Sequence, residues 1–168
     1  GAMAAVFADE EIVTAEVARA GGALTIAAFN GPEHFVISGL GSEVEAALGR
    51  LEAAGIRVKP LRVPHAAHSS LIEPVLDPFR RVLDTVRFDT PHLALVSNVT
   101  GSLARYEETA RPDYWLTHMR APVRFAQSMH TAKEQGITHF IEVGPHPVLL
   151  GMGAECLPGT AYEWLPSL

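Results

Sequence analysis

His65-Ala66-Ala67-His68 is the densest chemical cluster in a chain that carries eight histidines. It stands just before a candidate helix start at Ser69-Ser70. Three chemistries compete for it. Two imidazoles so spaced can share a metal ion, but no helix holds this pair on one face, and neither Cys nor Asp stands beside it. They can instead be satisfied side chains packed where two folding units meet. Or one ring can act as a general base, oriented through its other nitrogen by a backbone carbonyl or an amide side chain.

The last reading needs a nucleophile, and the residues do not supply one by pattern. The elbow Gly-x-Ser-x-Gly is absent. Ser38 and Ser42 flank Gly39-Leu40-Gly41 in the wrong order, and Ser69 and Ser70 read as helix starters. Cys156, the single cysteine, lies near a Pro-Gly turn without a basic neighbour, as a small buried hydrophobe would. Gly39-Leu40-Gly41 and Gly144-Pro145-His146-Pro147 read as turns, not phosphate cradles. His118, His130 and His139 fall inside predicted elements and read as satisfied surface or core residues. Arg105, Arg111, Arg120 and Arg124 are either scattered solvated charge or a landing site for an acidic partner or a phosphate-bearing cofactor.

The elements that must position these groups form two blocks meeting near residue 64. In the first, Met3 to Phe7 is a short apolar run, and Asp9 caps a helix over 10–20 that Gly21-Gly22 ends. Leu24–Asn30 and His34–Ser38 make a hairpin across Asn30-Gly31-Pro32. Ser42 with Glu45 fits a capping box, Val44, Ala47, Leu48 and Leu51 line one helical face, and Gly55 closes that helix. Residues 56–63 are a last strand, which Pro60 assigns to an edge or a bulge. The order βαββαβ is a ferredoxin-like arrangement.

The second block opens with a capping box, Ser70 with Glu73, and a helix to about residue 86 that Pro78 should kink. His92–Ser97 and Ile137–Val143 read as buried strands, Pro112 starts a helix through Met119, and Pro122 starts another to Gln135. Strands alternating with helices imply an α/β layer with a parallel sheet. Two core strands are few for one, so this block reads as part of a larger domain.

The chain's 168 residues, 48% hydrophobic, suffice for one compact domain or two small ones. Thirteen basic against nineteen acidic residues give a charge of -6, which argues against nucleic acid or an anionic membrane as a partner. One cysteine excludes an internal disulfide framework and suits a reducing, cytoplasmic setting. No apolar run approaches the roughly 18 residues of a membrane span, and no export leader opens the chain.

Several segments together resemble the acyltransferase domains of type I polyketide synthases. They are Asn30-Gly31-Pro32 with His34–Gly39, Gly55-Ile56-Arg57, Leu61–Ser69, Ile72-Glu73-Pro74, Val96–Gly101, Tyr114-Trp115, Arg120–Phe125 and Ile141–Pro145. The resemblance covers essentially the whole chain. It implies transfer of a malonyl-type unit from coenzyme A to the phosphopantetheine arm of an acyl carrier protein through an acyl-serine, with no tightly bound cofactor and no metal. It implies a ferredoxin-like small subdomain (1–63), the C-terminal part of an α/β-hydrolase-like large subdomain (64–160) and the start of a linker (161–168). His68 matches the catalytic histidine and Asn98 the asparagine that fixes its ring. His65, Ala66 and Ala67 occupy the stretch tied to extender choice, which reads His-Ala-Phe-His in malonyl types and Tyr-Ala-Ser-His in methylmalonyl types. Ala67 in place of Phe opens space, and one methyl changes discrimination by only about 1–3 kcal/mol, so the expectation leans to malonyl. Arg120 and Arg124 are candidate carrier-protein or coenzyme A contacts. The family's nucleophilic serine, carboxylate-binding arginine and oxyanion glutamine lie upstream of the matched region. The chain is therefore expected to be the C-terminal portion of such a domain, partnered by the N-terminal part and inactive alone. A fatty-acid-type malonyltransferase and a non-catalytic carrier-docking module are the alternatives.

Overall fold

Strand-forming runs and glycine stops divide the first third of the chain. A computed structural model describes residues 1–168. It begins β1 (Ala2–Phe7), α1 (Glu10–Arg19), β2 (Leu24–Gly31), β3 (His34–Gly39), α2 (Gly41–Ala53) and β4 (Arg57–Pro60). The sheet runs β2-β3-β1-β4 with every neighbouring pair antiparallel. Gly21 and Gly55 follow α1 and α2 at φ of 58° and 79°, a conformation that carries no Cβ penalty in glycine.

Alternation along the strands puts Ala4, Val6, Leu24, Phe35 and Ile37 on one face. There they meet Val13 of α1 and Val44, Ala47 and Leu51 of α2 in a single core. Burial of that stripe holds α2 in place, because the expected Ser42/Glu45 capping box does not form and the helix starts at Gly41 with Leu40 at its cap. Asp9 likewise sits at the cap of α1 without a side-chain cap bond. Glu16, almost buried, accepts a 2.8 Å hydrogen bond from Nε of Arg50 and so ties the two helices together. Ala5, Val36 and Ser38, which alternate with the core residues, are buried on the opposite face.

The second block departs further from expectation. A single 3-10 turn (Ser70–Ile72) precedes α3 (Glu73–Leu83), and its cap is Ser69, whose Oγ accepts from the Leu71 N–H at 3.3 Å. Ser70 therefore does not lead the expected capping box. Residues 92–97 are not a buried strand. They make one isolated bridge, Val96 to Leu103, and Leu93 is 84% exposed. An extended segment becomes a strand only where another strand can accept its hydrogen bonds, and none lies beside it. α4 (Tyr106–Thr109) and α5 (Pro112–Arg120) follow, and an Arg80–Asp113 ion pair joins α3 to α5.

Pro122 does not begin a helix. α6 runs Phe125–Glu134, and residues 121–123 lie along β2, where Val123 bridges Ala28 in parallel. β5 (His139–Glu142), α7 (Val148–Cys156) and β6 (Glu163–Pro166) complete the chain. β6 pairs parallel with β5, and Trp164 stacks on Phe140 with centroids 4.7 Å apart, so the segment read as a linker start carries a strand. Only Met129, Cys156 and Leu157 are buried in this second core. Ile141 and Val143, on or beside the parallel pair, are 66% and 87% exposed.

Candidate active site

A proline builds the site. Pro122 disfavours helical backbone in the residue before it, and Ala121 accordingly sits at φ -74°, ψ 155°. α5 stops at Arg120, and the Ala121 carbonyl leaves the helix. The next residues are pinned from two sides. Val123 donates its N–H to Ala27 O at 2.8 Å and accepts from the Phe29 N–H at 2.9 Å. The Arg124 N–H donates to Asn98 O at 2.8 Å. Ser97 anchors the Asn98 turn: its buried Oγ lies 2.8 Å from the Tyr114 hydroxyl on α5 and accepts from the Val99 N–H at 3.1 Å.

His68 meets the carbonyl so placed. Its Nδ1 lies 2.7 Å from Ala121 O. A carbonyl only accepts, so the bond requires the proton on Nδ1, and in the neutral ring Nε2 keeps a free lone pair. The ring is half-buried. His68 is the one non-glycine residue at positive φ, 59°. Such backbone persists only where its surroundings hold it. Here Oγ1 of Thr25 donates to His68 O at 2.9 Å.

The expected Asn98 side-chain contact is thereby corrected. The His68 ring is hydrogen-bonded to Ala121, and the Asn98 amide oxygen instead accepts a long 3.5 Å bond from Ser128 Oγ. The Asn98 main-chain carbonyl accepts from the Arg124 N–H, next to the segment that presents Ala121. A backbone carbonyl, one of the two orienting groups expected for a histidine base, is supplied by Ala121. His118, read above as a satisfied surface or core residue, lies near the same ring. That residue sits on the last turn of α5, and its pKa is lowered chiefly by burial and further by the charge of nearby His68.

Among the extender-choice positions, His65 is exposed, Ala67 is half-buried, and Ala66 is buried with its carbonyl accepting from Ser69 Oγ at 2.7 Å. Arg120 and Arg124 part ways. Arg120 is engaged, Nε to Glu73 Oε1 at 3.2 Å. Arg124 is exposed, lies 5.4 Å from the Phe29 ring centroid, and lines a cavity of ≈ 340 Å³ with Phe29, Gln127 and His130.

No hydroxyl or thiol inside the chain is poised to react with His68. Ser38 Oγ is sealed in β3 without a partner, and Ser69 Oγ is committed to the 3-10 turn. Cys156 Sγ donates to Asn30 O at 3.3 Å, and burial pushes its thiol up to about 11. We expect Cys156 to resist disulfide reagents at about pH 8 in the native state and to react promptly once unfolded. Fast native labelling would contradict that burial.

The family model described as "Acyl transferase domain" matches residues 1–164. Polyketide synthase GfsB of Streptomyces halstedii is 40% identical over 168 residues, 99% of this chain and 3% of that protein. Phenolphthiocerol synthesis polyketide synthase type I Pks15/1 of Mycobacterium bovis is 46% identical over 151 residues, 90% of this chain and 7% of that protein. The acyltransferase domain from the second module of the salinomycin polyketide synthase superposes with a TM-score of 0.92 at 41% identity, over 99% of this chain and 39% of that one. MCAT of Streptococcus pneumoniae gives 0.86 at 32%, over 94% and 52%. This chain thus spans a small part of the synthases it matches and less than half of the salinomycin domain. On the span of that family match and the likeness to solved acyltransferases, the chain belongs to the acyl transferase domain family.

Proposed function

We propose that this chain is the C-terminal portion of a type I polyketide synthase acyltransferase domain, in which His68 is the general base and then the general acid. The observation that carries this is the bond from His68 Nδ1 to Ala121 O at 2.7 Å, which leaves Nε2 free for a proton. In the proposed cycle, Nε2 takes the proton of a serine hydroxyl as that oxygen attacks the malonyl thioester. It then gives the proton to the departing coenzyme A sulfur. In the second half it takes the proton of the carrier protein's phosphopantetheine thiol and returns it to the serine oxygen as the acyl group moves to sulfur. The serine comes from outside this chain. Two things support that reading: the absence of an available hydroxyl, and the bare face of β5, since parallel strands are ordinarily covered on both sides. The N-terminal part of the same domain is the partner that would cover it.

The finer readings belong to the same proposal. The βαββαβ order and antiparallel β2-β3-β1-β4 sheet support a ferredoxin-like subdomain over 1–63, with 64–160 as part of a hydrolase-like subdomain. His65 and the small Ala67 favour malonyl while leaving room for a substituted extender. Arg124 is a better candidate than Arg120 for a carrier or coenzyme A phosphate, because Arg120 is already paired. The cytoplasm is the proposed location, and no helix is long and apolar enough to cross a membrane. One solved relative, a malonyl-transacylase, is in complex with a type II acyl carrier protein.

The test is mass spectrometry of a holo carrier protein after incubation with malonyl coenzyme A and the intact domain. We expect a malonyl adduct with the intact domain and none with the 168-residue chain alone. Turnover by the chain alone, or no adduct with the intact domain, would refute the proposal.

A further inference from the structure

We infer that Thr25 is a positioning residue for the imidazole of His68, and that β2 sets both ends of that ring's geometry. The inference rests on the reading of His68 as the base. Thr25 is half-buried on β2, opposite Ser38. Its hydroxyl has one proton and two carbonyls in reach: His68 O at 2.9 Å and Ser38 O at 3.4 Å. The shorter bond goes to His68, the residue whose backbone is left-handed at φ 59°. Non-glycine residues seldom adopt it, so the conformation depends on what grips the residue.

Two residues further along β2, Ala27 accepts the Val123 N–H at 2.8 Å, and Phe29 donates to Val123 O at 2.9 Å. These bonds fix the strand segment that presents Ala121 O to Nδ1. One strand therefore holds the backbone from which the ring hangs and the acceptor toward which it points. Without the Thr25 hydroxyl, the His68 carbonyl loses its anchor while the Ala121 carbonyl stays where it is. The two then fall out of register, and Nε2 no longer points along one direction.

The test compares Thr25→Val and Thr25→Ser in the full-length synthase protein. Valine keeps the β-branched shape and the strand preference but removes the hydroxyl; serine keeps the hydroxyl. We expect Thr25→Val to lower kcat for carrier malonylation about ten-fold with KM for malonyl coenzyme A unchanged, and Thr25→Ser to restore it to within about two-fold. With 15N-histidine labelling of the acyltransferase domain, His68 should be protonated on Nδ1 in the parent and Thr25→Ser proteins and a tautomer mixture in Thr25→Val. Wild-type kcat and an unchanged tautomer in Thr25→Val would overturn the inference. So would an equal loss in Thr25→Ser, since the hydroxyl would then not be the cause. His68→Ala separates the two readings. If it keeps full transfer, the assignment of the base fails, while the tautomer of Thr25→Val still decides whether Thr25 orients the ring.

Discussion

Replacing His68 with alanine in the intact acyltransferase domain is expected to slow malonyl transfer by about a hundred- to ten-thousand-fold, the usual contribution of a positioned general base. The loss should fall on kcat rather than on KM, because the ring acts on a proton in flight and binds no substrate group in the proposed cycle. Asn98→Ala is the informative companion. It keeps the main-chain carbonyl that holds Arg124 and removes only the long contact to Ser128. Its loss should stay below about ten-fold. If Asn98→Ala matched His68→Ala, the amide would have to reach the ring during turnover, and the backbone account of orientation would fail. If His68→Ala retained most of its activity, the proton would be going elsewhere.

The largest stability effect is expected at Gly39. A Cβ there would lie 2.0 Å from Ala23 O and 3.0 Å from Leu24 Cα, both backbone atoms that no rotamer can move aside. Gly39→Ala must push β2 and β3 apart where Gly39 pairs with Leu24 and, on its other side, with Ala2. We expect a cost of about 3 kcal/mol, seen as a Tm lower by roughly 6–12 °C. Gly41→Ala is the control: a Cβ there meets nothing, and the residue is helical, so the change should be neutral or mildly stabilising. A Gly39→Ala protein melting within about 2 °C of the parent would show that the hairpin can open at this end without cost. The opened end lies next to Thr25, so the variant should lose transfer as well as stability.

The first block was legible because its boundaries are written in local chemistry. Pro32-Glu33 turns the hairpin directly after Asn30-Gly31, Gly21 and Gly55 end helices, and alternating apolar residues name the inner face. The second block was less so, because its elements answer to neighbours. Residues 92–97 are apolar enough for a strand but have none to pair with. Pro122 has the look of a helix start, yet the edge of β2 captured the chain first and delayed α6 to Phe125. Glu163–Pro166 carries no long apolar run and becomes a strand only through β5 and the Phe140–Trp164 stack. At the site, the group that meets the His68 ring, Ala121 O, was not legible. A main-chain carbonyl has no letter of its own, and Asn98 drew attention to a side chain whose backbone does the holding.

The segment laid along β2 has a second effect, on how copies of this chain meet one another. An open sheet edge is a template on which another polypeptide can add itself, the first step toward fibrous aggregates. Val123 occupies part of the β2 border. The opposite border is β4, four residues long, carrying Arg57 and Lys59 and ending in Pro60. Growth by strand addition is thus blunted on one side by occupation and on the other by brevity, positive charge and a residue lacking an amide hydrogen. Precipitation of this polypeptide should accordingly proceed through its bare apolar face, giving amorphous material that detergent redissolves rather than dye-binding fibrils.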